Sequence, residues 1–127
     1  MEKNEKLSAF VSKLNRLTKE GQIKWKRQRP PNSLLESRDS EGRITYFFGA
    51  EYMGKNIGVY EEKYRAYIED TDSYSWEGRP VLGFFGEKWE LEYEKTHIMG
   101  MWDLIDTIQY QLAEVEEFLD KILSKKS

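Results

Sequence analysis

Two stretches of helical periodicity enclose a long middle that alternates, and this change of period constrains the chain more than any other feature. Near the start, Leu7, Phe10, Val11, Leu14 and Leu17 recur at spacings of three and four. That places them on one face and predicts an amphipathic helix over 3–20, ended by Gly21. Near the other end, Met101, Ile105, Ile108, Leu112, Val115, Leu119 and Ile122 step alternately by four and three, with Leu104, Phe118 and Leu123 widening the stripe. Asp103 and Asp106 stand early in this run and Lys121, Lys125 and Lys126 stand late, the polarity a helix dipole favours, so one helix is predicted over about 100–124.

The middle, about 22–95, reads as antiparallel strands. Ile23 and Trp25 alternate with Lys24 and Lys26 until Pro30 and Pro31, which cannot donate ladder hydrogen bonds, stop the pairing. Residues 32–42 predict a loop closing in a turn at Ser40–Gly42. Ile44, Tyr46, Phe48, Ala50 and Tyr52 then share one face of a strand, with Phe47 on the other. "MGKN" (53–56) predicts a hairpin turn and Ile57 and Val59 begin the return. A phase change toward Tyr60, Tyr64, Ala66 and Ile68 suggests a bulge near Tyr60. Residues 69–80 are turn-rich. "VLGFFG" (81–86) and "EKWELEYEK" (87–95) predict two strands joined by a tight turn around Gly86–Lys88, with Trp89, Leu91 and Tyr93 opposite Glu90, Glu92 and Glu94. The expected architecture is α+β: an antiparallel β-meander flanked by an N-terminal helix and a long C-terminal helix. At 127 residues it is expected to be a single domain. The C-terminal stripe is wider than one sheet face requires, so a homo-oligomer through that helix is expected, against the plainer alternative that it spans the sheet and meets the first helix.

The chain has no cysteine, one histidine and a formal net charge of −3. Disulfides and thiolate metal sites are excluded by that composition, and no metal or cofactor is expected. The acids and lysines among the first residues do not resemble a signal peptide, and no run is long and apolar enough to suggest a membrane span, so a cytoplasmic location is expected. His97 has no nucleophile partner in a recognisable motif. "DTDSYSW" begins like a calcium loop but carries Tyr74, Ser75 and Val81 where a ligand, the turn glycine and the bidentate glutamate belong. Glu90, Glu92 and Glu94 read as a solvated face that discourages sheet-to-sheet association rather than as a glycosidase pair. No Gly-rich phosphate loop is present, and the chain is expected to be no enzyme.

One segment departs from the acidic body. "GQIKWKRQRPPN" (21–32) holds Lys24, Lys26, Arg27 and Arg29 around Trp25 with no acid, leaving −7 for the remainder. Extended nucleic acid needs a broad basic footprint, which this is not. Two readings stand. Ile23 and Trp25 pack inward while the cations balance acids elsewhere, each exposed pair contributing little. Alternatively the cations hold phosphate, an indole or a nearby phenylalanine stacks on a base, and the prolines keep the segment in one conformation. Aromatic residues exceed the usual need of a small core, so that Phe47 and one of Phe84 and Phe85 are expected to line a pocket.

"LNRLTKEGQIKWKR", the aromatic meander, and "WDLIDTIQYQLAEVEEFLDKIL" together resemble small phage and mobile-element proteins, in particular the phage anti-Thoeris sponges that sequester cyclic ADP-ribose isomers. About 35 residues at the two ends carry the likeness, and the middle matches by layout only. The resemblance implies a non-enzymatic dimer or hexamer that holds a nucleotide signal, in some relatives a cyclic oligonucleotide, at subunit interfaces and thereby blocks bacterial anti-phage defence. Gln109, Tyr110 and Gln111 stand where arginine would be expected in such a helix. By residue chemistry, the candidate ligand-binding residues are Trp25, Trp76, Phe85 and Trp102 for stacking, Lys24, Lys26, Arg27, Arg29, Arg65 and Arg79 for phosphate, and Asp103 and Gln109 for a ribose or base edge. The competing expectation is a protein-interaction module that inhibits a host protein through its acidic and aromatic surface.

Overall fold

The computed structural model describes residues 2–38 and 43–125. Helix α1 (Lys3–Lys19) leads into a sheet of β1 (Lys26–Arg27), β2 (Arg43–Tyr52), β3 (Lys55–Ile68), β4 (Ser73–Phe85) and β5 (Leu91–Thr96). A short helix, α2 (Asn32–Glu36), falls between β1 and β2, and α3 (Met101–Leu112) and α4 (Val115–Leu123) follow β5. The five strands lie side by side in chain order and every neighbouring pair is antiparallel. This is the α+β meander that the periodicity predicts.

The two helical stripes meet on one side of the sheet. Val11, Leu14 and Leu17 of α1 and Met101, Leu104, Ile105 and Ile108 of α3 pack with Trp25, Phe48, Ile57, Val59 and Leu82 in the main core. Ile23 and Trp25 alternate inward as expected, although regular pairing begins only at Lys26. Gly21, with positive φ, ends α1 and lets the chain turn back under it.

The other side of the sheet is also covered, which the sequence reading did not anticipate. Pro31 caps α2, accepting hydrogen bonds at its carbonyl from the amides of Leu34 and Leu35, so residues 32–36 form a helix rather than a loop. The expected turn at Ser40–Gly42 lies outside the described residues, as does Lys126. Leu34 seats on Phe47, Tyr60, Val81 and Phe85, with Trp89 and Leu91 at the rim. Gly49, Gly58 and Gly83 are in register across β2, β3 and β4. A side chain at any of the three would collide with an aromatic ring, because Phe47, Tyr60, Phe85 and Trp89 crowd over this bare row. Phe47 and Phe85 therefore fill a second core and line no open pocket, contrary to expectation.

Two-sided burial also explains the apparent phase change at Tyr60. Val59 faces the main core and Tyr60 the second, with no bulge between them. The bulges sit elsewhere: Thr45 is the extra residue between Ile44 and Tyr46, and Glu92 the extra residue between Leu91 and Tyr93. The latter sends Leu91 into the second core and breaks the expected acidic stripe. Glu94 turns to Arg38 and Glu92 to Lys55.

Residues 69–80 are not all turn. A turn at 69–72 joins β3 to β4, which remain paired out to Ile68 and Ser73. Beyond Lys63 there is no β2 partner and before Val81 no β5 partner, so the hairpin runs on alone as a two-stranded ribbon, roughly 17 Å for five residues past the sheet. The C-terminal helix is likewise not continuous. Glu114 takes a left-handed conformation at φ 52°, dividing α3 from α4. The apolar stripe is thereby split: its α3 half is buried, whereas no residue of α4 is.

Candidate ligand-binding surface

The cross-strand register of the ribbon determines which side chains share a face. Residues 63, 65 and 67 of β3 stand opposite 78, 76 and 74 of β4, and Arg43 of β2 stands opposite Lys63. Paired residues project to the same side. One face of the ribbon thus carries Arg43, Lys63 and Arg65 interleaved with Tyr67, Tyr74 and Trp76. The Arg43 guanidinium lies 4.9 Å from the Trp76 ring centre and that of Arg65 lies 4.5 Å from the Tyr74 centre. Tyr67 and Tyr74 are 5.4 Å apart. All three rings are exposed, Trp76 at 47% and Tyr74 at 60%. Cations resting on aromatic faces in water are held by only about 0.5–1 kcal/mol, so a ligand ring can displace them.

This positive strip is short. Glu69, Asp70 and Asp72 occupy the tip of the ribbon, where the Tyr67 hydroxyl donates to Asp72 at 2.5 Å. Lys63 and Arg65 are two residues, about 7 Å, apart along the strand. The strip is therefore only about as long as one nucleotide, and the tip beyond it carries the opposite charge.

The opposite face of the ribbon root carries a different arrangement. Arg38 donates to both Glu94 oxygens, at 2.8 and 2.5 Å, and its Nε meets Glu62. Arg79 donates to the other Glu62 oxygen from Nε and an NH2 nitrogen at 2.9 and 2.6 Å, with its guanidinium over the Tyr64 ring. Two cations and two anions alternate, and the Glu62 side chain is only 6% exposed. Arg79 is thus engaged in neutralising a buried carboxylate, and this network anchors the segment after α2 to the sheet. Beside it the Tyr60 hydroxyl is buried and, among the described residues, makes no well-formed hydrogen bond. Burial, then the Glu94 charge, hold its pKa above the ordinary tyrosine value.

The other candidate residues scatter. Trp25 is 3% exposed, its indole N–H donating to Thr18 Oγ1 at 2.9 Å, so it offers no face for stacking. Its backbone N–H donates to Gln111 Oε1, while Gln111 Nε2 donates to the Ile23 and Thr18 carbonyls at 2.8 and 3.3 Å. Gln111, which departs from the arginine a sponge-like helix would carry, acts here as a clamp joining α1, the 23–25 segment and α3. Phe85 is fully buried. Lys26 and Arg27 form the exposed edge strand, where charge discourages pairing with another sheet, and Arg29 follows it. No ion pair among the described residues uses Lys24, Lys26, Arg27 or Arg29.

Lys24 and Lys19 line an open groove of about 660 Å³ between the end of α1 and the α3–α4 junction. Asp106, Glu114, Glu116 and Glu117 outnumber them there, so this groove is a poor cradle for phosphate. Trp102, Asp103 and Gln109 are exposed on the outer side of α3. Of the twelve candidates, only Arg65 and Trp76 bring a cation and a ring together on an open surface, and Arg43, Lys63, Tyr67 and Tyr74, which complete that surface, were missed. Their signal was the alternation of 63, 65 and 67 against 74 and 76, hidden because the acidic and serine-rich residues around 69–75 read as a long turn.

The fold and this strip define an α+β chain bearing an aromatic and cationic β-ribbon. Comparison with known proteins goes no further: no family model matches the chain, and no curated protein or solved structure shows significant similarity to it. Among the described residues there is no grouping of His, Asp and Glu suited to a metal ion and no helix long and apolar enough to cross a membrane.

Proposed function

We propose that this protein is a non-enzymatic binder that sequesters a small nucleotide-type signal, of the class of cyclic ADP-ribose isomers or short cyclic oligonucleotides, and so blocks a bacterial anti-phage response. The observation that carries this reading is the ribbon face, with three exposed rings and three cations beside them. A base stacks on Trp76 or Tyr74 in place of a guanidinium, and the displaced Arg43 or Arg65 turns to the phosphate. Each such stack contributes about 1–3 kcal/mol in single-strand binders. The acidic tip supports a small ligand over a long strand, and the resemblance at the chain ends supports the same class.

The test is calorimetry of the purified chain against cyclic nucleotides and cyclic ADP-ribose isomers, with Trp76→Ala and Arg65→Ala beside the wild type. Sequestration requires saturable binding, loss of at least tenfold in affinity in both variants, and recovery of the ligand intact after incubation. No binding by any of these compounds, or binding indifferent to both substitutions, would remove the reading. A time-dependent product would make the protein an enzyme.

One observation favours the second reading, an inhibitor that docks on a host protein. Trp102 and Met99 are exposed close together in the chain where β5 passes into α3, Met99 at 83%, with Tyr93 and Glu90 exposed nearby in sequence. That reading predicts a salt-sensitive heterocomplex unaffected by Trp76→Ala.

A further inference from the structure

Helix α4 is amphipathic, and among the described residues none buries its apolar face. Leu112, Val115, Phe118, Leu119 and Ile122 recur at helical spacing with Leu123 beside them, yet Phe118 is 60% and Leu123 80% exposed. The left-handed residue Glu114 is what turns this face away, since a continuous helix would carry the stripe onward in line with α3. An apolar face of several hundred Å² on a chain this charged marks a contact rather than a solvated surface.

The charges along α4 indicate what covers it. Glu114, Glu116, Glu117 and Asp120 occupy its first part, and Lys121 and Lys125 its end. Such a helix has an acidic half and a basic half along its axis. Two copies laid side by side in the same direction put like charges and aligned helix dipoles together, whereas reversing one brings each acidic half to the other's basic half and opposes the dipoles. The face is self-complementary under a two-fold axis, the arrangement of most homodimers.

Size agrees with this occupant. Covering the exposed parts of the apolar side chains on two copies removes on the order of 1,100 Å² from water, and the lysine stems with Tyr110 bring this to roughly the 1,200 Å² at which specific interfaces begin. We propose that α4 pairs with α4 of a second copy in an antiparallel, two-fold dimer, with Lys121 and Lys125 of each copy approaching the acidic rim of the other's α1–α3–α4 groove. The groove carries Asp106, Glu114, Glu116 and Glu117, a surplus of anions that a neighbour's lysines would offset. An interface at the low end of the size range is expected to be a weak one, a dimer that dissociates on dilution.

Sedimentation of the full chain over a concentration series tests the stoichiometry. The expected result is a monomer–dimer equilibrium abolished by Phe118→Asp, a substitution at an exposed position that leaves the circular dichroism of the monomer unchanged. Glu116→Lys/Glu117→Lys and Lys121→Glu/Lys125→Glu should each weaken self-association at least tenfold, and an equimolar mixture of the two variants should restore a dimer. The orientation is read from engineered cysteines, which are unambiguous in a chain that has none of its own. Val115→Cys mixed with Leu123→Cys should form a mixed disulfide, and Leu123→Cys alone should not. A chain monomeric at high micromolar concentration, a dimer indifferent to Phe118→Asp, efficient cross-linking of Leu123→Cys to itself, or a complex only with a different protein would each overturn the proposal.

Discussion

Phe47 leans over Gly58 so closely that a Cβ on the glycine would stand 2.5 Å from the ring's Cζ, and Phe85 closes in from the other side at 2.8 Å. Both rings are fully buried and neither has room to swing aside. Gly58→Ala is therefore expected to destabilise the protein by about 1–3 kcal/mol, the range for overpacking a tight core. Gly54, at φ 81° with nothing within 4 Å of its Cβ direction, is a glycine for backbone reasons alone. Gly54→Asn should cost less than Gly58→Ala, because it meets no neighbour and Asn visits that conformation more readily than other side chains. Urea unfolding of the two variants separates the cases.

Arg38 is the pivot of the charge network behind the ribbon. Its side chain is 13% exposed and it serves two carboxylates, so Arg38→Ala leaves Glu62 to Arg79 alone and is expected to cost about 3 kcal/mol. Lys55→Ala, which removes the solvent-exposed partner of Glu92, should cost under about 1 kcal/mol. Only the second loss should be reproduced in the wild type by high salt, as denaturation in the presence of sodium chloride will show.

Gln111 satisfies two backbone carbonyls and one amide from three directions. Gln111→Leu keeps much of its volume and removes all three bonds, leaving the Trp25 amide without its acceptor. A cost of about 2–3 kcal/mol is expected. Amide exchange at Trp25 should accelerate well before global unfolding, since Gln111 is the acceptor of that amide while the indole N–H to Thr18 still holds the side chain.

Alkali should unfold the protein by way of its tyrosines. Burial, with the Glu61 charge second, pushes Tyr46 up to about 12, and Tyr60 is raised in the same direction. The unfolded state releases these protons near pH 10 and the folded state only later. Stability is thus complete below about pH 10 and falls as pH rises toward the folded value. Tyr46→Phe should flatten the decline between pH 10 and 12 in a denaturation series. Tyr60→Phe should flatten it also, at little cost near neutral pH, because among the described residues the hydroxyl it removes makes no well-formed hydrogen bond.

The parts of the fold governed by a single period were legible in the sequence. Val11, Leu14 and Leu17, or Leu104, Ile105 and Ile108, have one face to hide and announce it. Phe47, Tyr60 and Phe85 do not, because a strand buried on both sides gives no alternation, and the registered glycines that admit their rings lie in separate strands. Asn32–Glu36 is too short for a helical pattern to emerge. The ribbon strip was half visible: Arg65 and Trp76 were recognisable by type, but their neighbourhood depends on the register of two strands across a turn. Trp25 misled because an indole ringed by cations suggests stacking until Thr18, seven residues earlier, is seen to hold its N–H.

The pairing of α1 with α3 also imposes an order on synthesis. Val11, Leu14 and Leu17 emerge from the ribosome about ninety residues before Ile105 and Ile108, against which they finally rest. Among the described residues the second core draws on Leu34 to Leu91, and it can assemble while α3 is still inside the exit tunnel. Until then the apolar side of α1 has no complete seat, and the nascent chain offers a chaperone an early, specific and temporary handhold.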